Sequence, residues 1–127
     1  MTDMLQACNE NMLIGIVSCC KKKRSTRMPA GLLYAEPGFY KSVYYAETYC
    51  DGWIILSGKH GVLNPSDVID PYDFDLRNRS PKYIAKWGTE VNKVLRKRFP
   101  GAGFIAMVDG PYLSALRNLD YVIKRIK

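Results

Sequence analysis

Residues 53–76, WIILSGKHGVLNPSDVIDPYDFDL, decide the fold of this chain. The first four of them, residues 53–56, form an apolar run that predicts a strand buried on both faces. The run ends at the sequence SGKHG, in which two glycines flank Lys59 and His60, the only histidine of the chain. Open α/β sheets place their sites in the irregular segments that follow buried strands. We therefore expect the functional pocket at the end of this strand.

Similar apolar runs predict further strands at residues 12–17, 104–108 and 121–123. Apolar residues at helical spacing predict a helix around residues 39–50. Ser80 followed by Pro81 is a start signal for a long helix that ends near Phe99. The alternation of strand and helix predicts an α/β fold: a single three-layer domain with a mainly parallel sheet of about four strands and helices on both faces.

The length of 127 residues suits one domain, which we place at residues 12–127 after a flexible leader at residues 1–11. No apolar run approaches the ~20 residues that span a bilayer, and no signal-peptide pattern is present, so we expect a cytoplasmic protein without membrane contact. The four cysteines lack metal-binding spacing, which predicts reduced thiols, no metal and no cofactor. The net charge of +7 favours an anionic partner, nucleic acid or a nucleotide.

The carboxyl ends of parallel strands meet at one edge of a sheet, so the predicted strands bring three polar segments together. Cations, a serine and exposed glycine backbone suit a phosphate group, and we expect one positively charged recess at this edge. The candidate ligand- or phosphate-binding residues are Ser18, Lys21, Lys22 and Lys23 after the first strand, Ser57, Gly58, Lys59 and Gly61 after the second, and Gly110 and Tyr112 after the third.

His60 is the candidate for general acid or base chemistry, because imidazole titrates near neutral pH. Asp70, Asp73 or Asp75 could orient it. Of these, we take His60, Asp70 and Asp73 as the candidate catalytic residues. A histidine in a glycine-rich turn is also typical of a hydrogen-bonded surface residue, and an aspartate near a proline, such as Asp67 or Asp70, is typical of a turn cap.

The basic residues form one group in the loop after the first strand and another on the outer face of the long helix. The candidate nucleic-acid contacts are Arg24 and Arg27 in the loop and Lys93, Arg96 and Lys97 on the helix. Runs of like charge are also typical of solvated surfaces, and cations suit the end of a helix. Tyrosines of the first helix could stack nucleobases or cover the edge of the core: Tyr40, Tyr44, Tyr45 and Tyr49.

The pattern LSGxxGVLxPxDxIxPYxxxL, which begins at Leu56, resembles the central segment of the YaaA-like family, the peroxide-stress proteins. It is more similar still to a group of short bacterial, archaeal and phage relatives of uncharacterised function. The resemblance adds Tyr72 to the ligand-binding candidates. Ser18, with one of the lysines that follow it, fills positions that the relatives keep as serine and lysine, and Gly110 and Tyr112 also match.

The resemblance implies DNA binding and protection from oxidative damage, in agreement with the charge. Our first hypothesis is therefore a nucleic-acid-binding protein, for DNA in particular, with an anion or nucleotide pocket at the strand ends. The alternative is an enzyme that acts on a nucleotide, nucleoside or modified base, in the manner of a glycosidase or hydrolase, with His60 and an aspartate as acid and base. A third hypothesis is a small accessory or inhibitor protein without chemistry of its own.

Overall fold

The computed structural model describes residues 12–108 and 110–116, together with the backbone of residues 122–125. The strands in these residues are β1 (Leu13–Ser18), β2 (Met28–Pro29), β3 (Gly52–Ser57), β4 (Gly61–Leu63), β5 (Val68–Ile69), β6 (Gly103–Met107) and β7 (Val122–Arg125). The helices are α1 (Ala30–Leu33), α2 (Pro37–Tyr49), α3 (Pro81–Arg98) and α4 (Gly110–Ala115), with a 3-10 helix at Leu76–Asn78. The predicted leader at residues 1–11 lies outside the described residues.

The main sheet has five strands in the order β4-β3-β1-β6-β7. In its centre β1 pairs in parallel with β3 and with β6, so that Val17 lies beside Ile55 on one side and Met107 on the other. The sheet continues with β7 parallel to β6, whereas β4 turns back antiparallel to β3. The four predicted strands are thus the four parallel ones, and the prediction of a mainly parallel α/β fold is confirmed.

Helices cover both faces of this sheet, because successive side chains of a strand point to opposite faces. On one face Val17 and Ile55 pack with Phe39 of α2. On the other face Ile16 and Leu56 pack with Trp87 of α3, in a core that also includes residues of α4. The three-layer prediction is therefore confirmed.

The long helix α3 begins as the sequence predicts. The Ser80 hydroxyl accepts a hydrogen bond from the backbone N–H of Tyr83 at 3.1 Å, and Pro81 occupies the first helical position. The first N–H groups of a helix have no partner within it. The Ser80 hydroxyl supplies a partner for one of them, and Pro81 has no N–H group that needs one. At the other end of the helix Phe99 is the C-cap, and its backbone N–H donates a hydrogen bond to the Leu95 carbonyl.

The chain reverses its direction across the sheet after β3. The connection through α2 leads from β1 to β3 on one side, whereas the connection through α3 crosses back to β6 on the other side. The loops that leave β1 and β6 therefore lead to helices on opposite faces, and such a reversal opens a crevice at the carboxyl edge of the sheet. Within the part of the chain that the structure describes, no helix combines the length and the apolar character that crossing a bilayer requires.

Candidate functional site

A cavity of about 880 Å³ lies in this crevice, at the carboxyl ends of β1 and β6. We call it the β1–β6 cavity. Its walls come from the loop after β1, from the first turns of α2, from residues 73–78 and from Tyr112 of α4. Of the ligand-binding candidates, Ser18, Lys21, Lys23 and Tyr112 line it. The structure thus brings the polar ends of the first and third predicted strands together, as the sequence predicts.

The charge of the lining differs from the prediction. Its cations are Lys21, Lys23 and Arg77, and its carboxylates are Glu36, Asp73 and Asp75. The prediction of a positively charged recess is therefore wrong, because the lining has as many acidic as basic side chains. The physical reason is that α2 begins at the carboxyl edge of the sheet and that residues 73–78 fold back over it, so both add carboxylates.

The basic loop after β1 is held by backbone hydrogen bonds to the α1–α2 connection. The Ala35 N–H donates to the Lys22 carbonyl at 2.9 Å, and the Arg24 N–H donates to the Leu33 carbonyl at 2.8 Å. Glu36 accepts hydrogen bonds from Cys20 and from the Lys22 backbone, and these lower the pKa of its carboxyl group. The loop cations are consequently placed by the fold rather than left in a free solvated segment.

A thiol and a phenol meet at the cavity wall. The Cys19 sulfur lies 3.3 Å from the Tyr112 hydroxyl oxygen, within hydrogen-bonding distance. Burial raises the pKa of Tyr112, so its hydroxyl keeps its proton and remains a donor at neutral pH. Trp87 packs edge-on against the Tyr112 ring, with ring centroids 5.5 Å apart. Tyr112 is thus fixed from both sides, and α4 presents it to the cavity.

The second strand end forms a separate group beside the cavity, centred on Tyr72. The Tyr72 hydroxyl lies 2.7 Å from the Ser57 hydroxyl and 2.6 Å from that of Tyr34, so the three form a hydrogen-bonded chain. Burial raises the pKa of Tyr72, which keeps the chain protonated. The ammonium groups of Lys23 and Lys59 lie 4.4 and 5.6 Å from the centre of the Tyr72 ring, as cation–π contacts.

His60 also contacts this group, because its ring lies edge-on to Tyr72 at 5.1 Å and its backbone N–H donates to the Ser57 hydroxyl at 3.1 Å. Partial burial, and then the charge of Lys59, lower the pKa of His60, so the imidazole is mostly neutral at pH 7. In the described ranges no carboxylate is hydrogen-bonded to this imidazole.

The structure does not bring the candidate catalytic residues together. Asp70 forms an exposed ion pair with Arg27 at 3.1 Å, and Asp73 lines the β1–β6 cavity rather than contacting His60. Asp67 caps a turn by accepting the Asn64 N–H at 2.8 Å, which confirms the structural alternative for that residue. No group of three or more His, Cys, Asp or Glu side chains in the described ranges is arranged to hold a metal ion.

The glycines among the candidates have packing and turn functions in this structure. Gly58 is buried beneath residues 74–76, so its backbone is not open to a ligand. Gly61 has a φ of +76° at the turn into β4, a conformation that favours glycine. Gly110, with a φ of +57°, begins α4 close to Arg77, whose Nε lies 3.9 Å from the position that a Cβ would take.

The candidate nucleic-acid contacts divide between two ends of the molecule. Arg24 lies near the cavity, where its guanidinium donates to the Leu32 carbonyl and to the Tyr40 hydroxyl. The basic C-terminal end of α3 lies at the opposite edge of the sheet from the cavity, because its C-cap residue Phe99 contacts Phe104 near the start of β6. The exposed helix cations Lys93, Arg96 and Lys97 therefore lie away from the cavity.

Sequence reasoning missed several residues of the cavity lining. Glu36 directly precedes α2 and Ser42 belongs to it, and Arg77 and Asn78 follow the aspartate-rich segment. A signal for Glu36 was available, because a helix that follows a parallel strand begins at the carboxyl edge of the sheet. No comparable signal marks Arg77, whose position depends on how residues 73–78 fold across the cavity.

Comparison with known proteins gives a family but no activity. The family described as "Family of unknown function (DUF6884)" matches residues 14–126. The uncharacterized protein YfjM of Bacillus subtilis is 33% identical over 96 residues, which are 70% of this chain and 60% of that protein. A UPF0246 protein of Psychrobacter cryohalolentis is 32% identical over 72 residues, 50% of this chain and 27% of that protein.

The chain thus spans about 60% of the Bacillus relative and about a quarter of the Psychrobacter relative. No solved structure gives a significant match. The family match covers nearly all of the α/β fold described above, including both strand ends that form the cavity. The chain belongs to the DUF6884 family of unknown function.

Proposed function

We propose that the chain binds a nucleotide unit in the β1–β6 cavity and is a nucleic-acid-binding protein of YaaA-like type. The observation that carries this proposal is the position and composition of the cavity, at the carboxyl edge where the chain reverses across the sheet. This is where open α/β sheets bind their ligands. The similarity to a UPF0246 protein over half of the chain supports the family part of the proposal.

The mixed charge of the lining suits a nucleotide better than a bare phosphate. Lys21, Lys23 and Arg77 supply donors for phosphate oxygens. Asp73 and Asp75 supply acceptors for sugar hydroxyls and for the amino groups of a base. The volume of about 880 Å³ lies within the ~300–1,000 Å³ of small-molecule sites, so it accommodates a whole nucleotide.

Lys21→Ala tests the phosphate part of this proposal. Lys21 is exposed and lines the cavity, so its loss should weaken binding of a nucleoside 5′-monophosphate about fivefold, the equivalent of roughly 1 kcal/mol for a solvated ion pair. Isothermal titration of the purified protein with the four ribonucleoside monophosphates, and with inorganic phosphate, measures the effect. Lys86→Ala, an exposed lysine of α3 outside the lining, is the matched control and should bind as the unchanged protein does.

Two results would refute the proposal. One is the absence of nucleoside monophosphate binding at millimolar concentration. The other is a failure of the protein to bind DNA or RNA fragments in a salt-dependent way, because contacts to phosphates release counterions and weaken as salt is added.

The second candidate, an enzyme that acts on a nucleotide, nucleoside or modified base, is favoured by the lowered pKa of His60. A neutral imidazole at pH 7 can accept a proton from a reacting group. The enzyme would need the His60 imidazole and an aspartate to act together, but His60 contacts Tyr72 whereas Asp73 lines the cavity.

His60→Ala separates the two candidates. Under the binding proposal we expect the affinity for nucleoside monophosphates to stay within about twofold, as for most surface substitutions, because His60 is exposed and outside the lining. His60→Gln, which keeps hydrogen-bonding capacity, is the companion variant and should behave alike. A turnover of nucleotide or nucleoside by the unchanged protein that His60→Ala abolishes, with binding retained, would establish the enzyme instead.

A further inference from the structure

Three aromatic rings of α2 are exposed to solvent. Tyr40 is 47% exposed, Tyr44 72% and Tyr49 63%. None of these rings is buried in the core, which α2 reaches through Phe39 and Ala46. Exposed aromatic surface of this kind is typical of an interaction site.

The rings are arranged in two pairs along the helix. Tyr40 and Tyr44 are four positions apart, as are Tyr45 and Tyr49, whose ring centroids lie 4.8 Å from each other. Residues four apart are neighbours on a helix surface. At about 100° per residue, Lys41 lies between the two pairs around the helix axis. We define Tyr40, Lys41, Tyr44 and Tyr49 as the α2 tyrosine surface, because Tyr45 is half-buried and packs against the core.

The α2 tyrosine surface begins next to residues that line the β1–β6 cavity. Residues 37–39, in the first turn of α2, line the cavity, and Tyr40 follows them directly. The Arg24 guanidinium donates to the Tyr40 hydroxyl at 3.3 Å, so the basic loop and the tyrosines are joined. Within α2 the only carboxylate is Glu47.

We infer that the α2 tyrosine surface binds single-stranded nucleic acid, with a nucleotide of the same strand in the β1–β6 cavity. Exposed rings interleaved with cations bind single strands by stacking on bases and by contacting phosphates. A duplex hides the faces of its bases and cannot use such rings. This inference deepens the proposed function and rests on it.

The choice of α2 over the basic end of α3 follows from position. Lys93, Arg96 and Lys97 lie toward the opposite edge of the sheet from the cavity, and the exposed ring of α3, Tyr83, packs against Phe74. A strand that enters the cavity therefore passes along α2, and the cations of α3 contribute to binding only through their general field.

Tyr44→Ala tests the inference, because Tyr44 is the most exposed ring of the α2 tyrosine surface and its removal should leave the fold intact. The probe is a labelled oligothymidylate of about 12 nucleotides, within the ~4–16 nucleotides that single-strand sites cover. Fluorescence anisotropy should show affinity at least about fivefold weaker for Tyr44→Ala, with nucleoside monophosphate affinity unchanged. Tyr44→Phe keeps the ring and should bind as the unchanged protein does.

Three outcomes would overturn the inference. The first is an unchanged oligothymidylate affinity of Tyr44→Ala. The second is equal affinity for a duplex of the same length. The third is self-association of the unchanged protein that Tyr44→Ala abolishes without an effect on the oligonucleotide, which would make this surface an interface between two copies of the chain. Failure of the cavity proposal is a separate result, seen as absent monophosphate binding while oligothymidylate binding still depends on Tyr44.

Discussion

Trp87→Ala is expected to lower the free energy of unfolding by about 3–5 kcal/mol, as truncation of a large buried aromatic does. Trp87 is 7% exposed and extends from α3 to the end of β3. Its indole N–H donates to the Ser57 carbonyl at 2.9 Å, and its ring packs edge-on against Tyr112. The variant would leave a void, a buried carbonyl that has lost the indole donor and an unsupported Tyr112 at the cavity wall. Urea unfolding followed by circular dichroism measures the loss.

Trp87→Phe separates the hydrogen bond from the packing. It keeps a ring beside Tyr112 but removes the indole hydrogen bond to the Ser57 carbonyl, so we expect a smaller loss of about 1–3 kcal/mol. Lys86→Ala, one residue earlier and exposed, should change stability by less than about 0.5 kcal/mol. A loss below about 1 kcal/mol for Trp87→Ala would contradict the role given to this residue at the junction of α3, β3 and α4.

The parallel strands and the two long helices could be predicted because each has a local signal. Long apolar runs mark β1, β3 and β6, and the pair Ser80 and Pro81 marks the start of α3. The short elements have no such signal. Residues 61–63 begin with a glycine and form β4 only because β3 offers them an open edge. Pairing between distant segments, such as β2 with β5, is a tertiary property that a three-residue window does not contain.

The candidate site was predicted in part, for a related reason. Residues next to a strand end, such as Ser18 and Lys21, lie where the strand places them. Residues 67–75 extend across the edge of the sheet, and their contacts decide which aspartate faces what: Asp70 meets Arg27, whereas Asp73 faces the cavity. Spacing in the sequence brought the carboxylates near His60, but the path of the backbone separates them.

That path depends on Gly58, and Gly58→Ala is expected to disturb both stability and binding. A Cβ at Gly58 would lie 3.0 Å from the Leu76 Cβ and 3.1 Å from Cε1 of Phe74. Leu76 is fully buried. The Phe74 ring lies beside Tyr83, with ring centroids 5.8 Å apart, and beside the Arg79 guanidinium, whose Cζ lies 4.0 Å from the Phe74 ring centroid. Relief of the clash therefore moves residues 73–78 outward, together with the cavity wall.

We expect Gly58→Ala to lower the free energy of unfolding by about 1–3 kcal/mol, as overpacking of a core does, and to weaken nucleoside monophosphate binding in the same preparation. Urea unfolding and isothermal titration measure the two effects. Gly38→Ala is the matched control for stability: a Cβ there has no neighbour within 4 Å, and alanine in a helix is favoured over glycine by up to about 1 kcal/mol. The explanation fails if Gly58→Ala is as stable as Gly38→Ala, because residues 73–78 would then not depend on the close approach of Phe74 and Leu76 to Gly58.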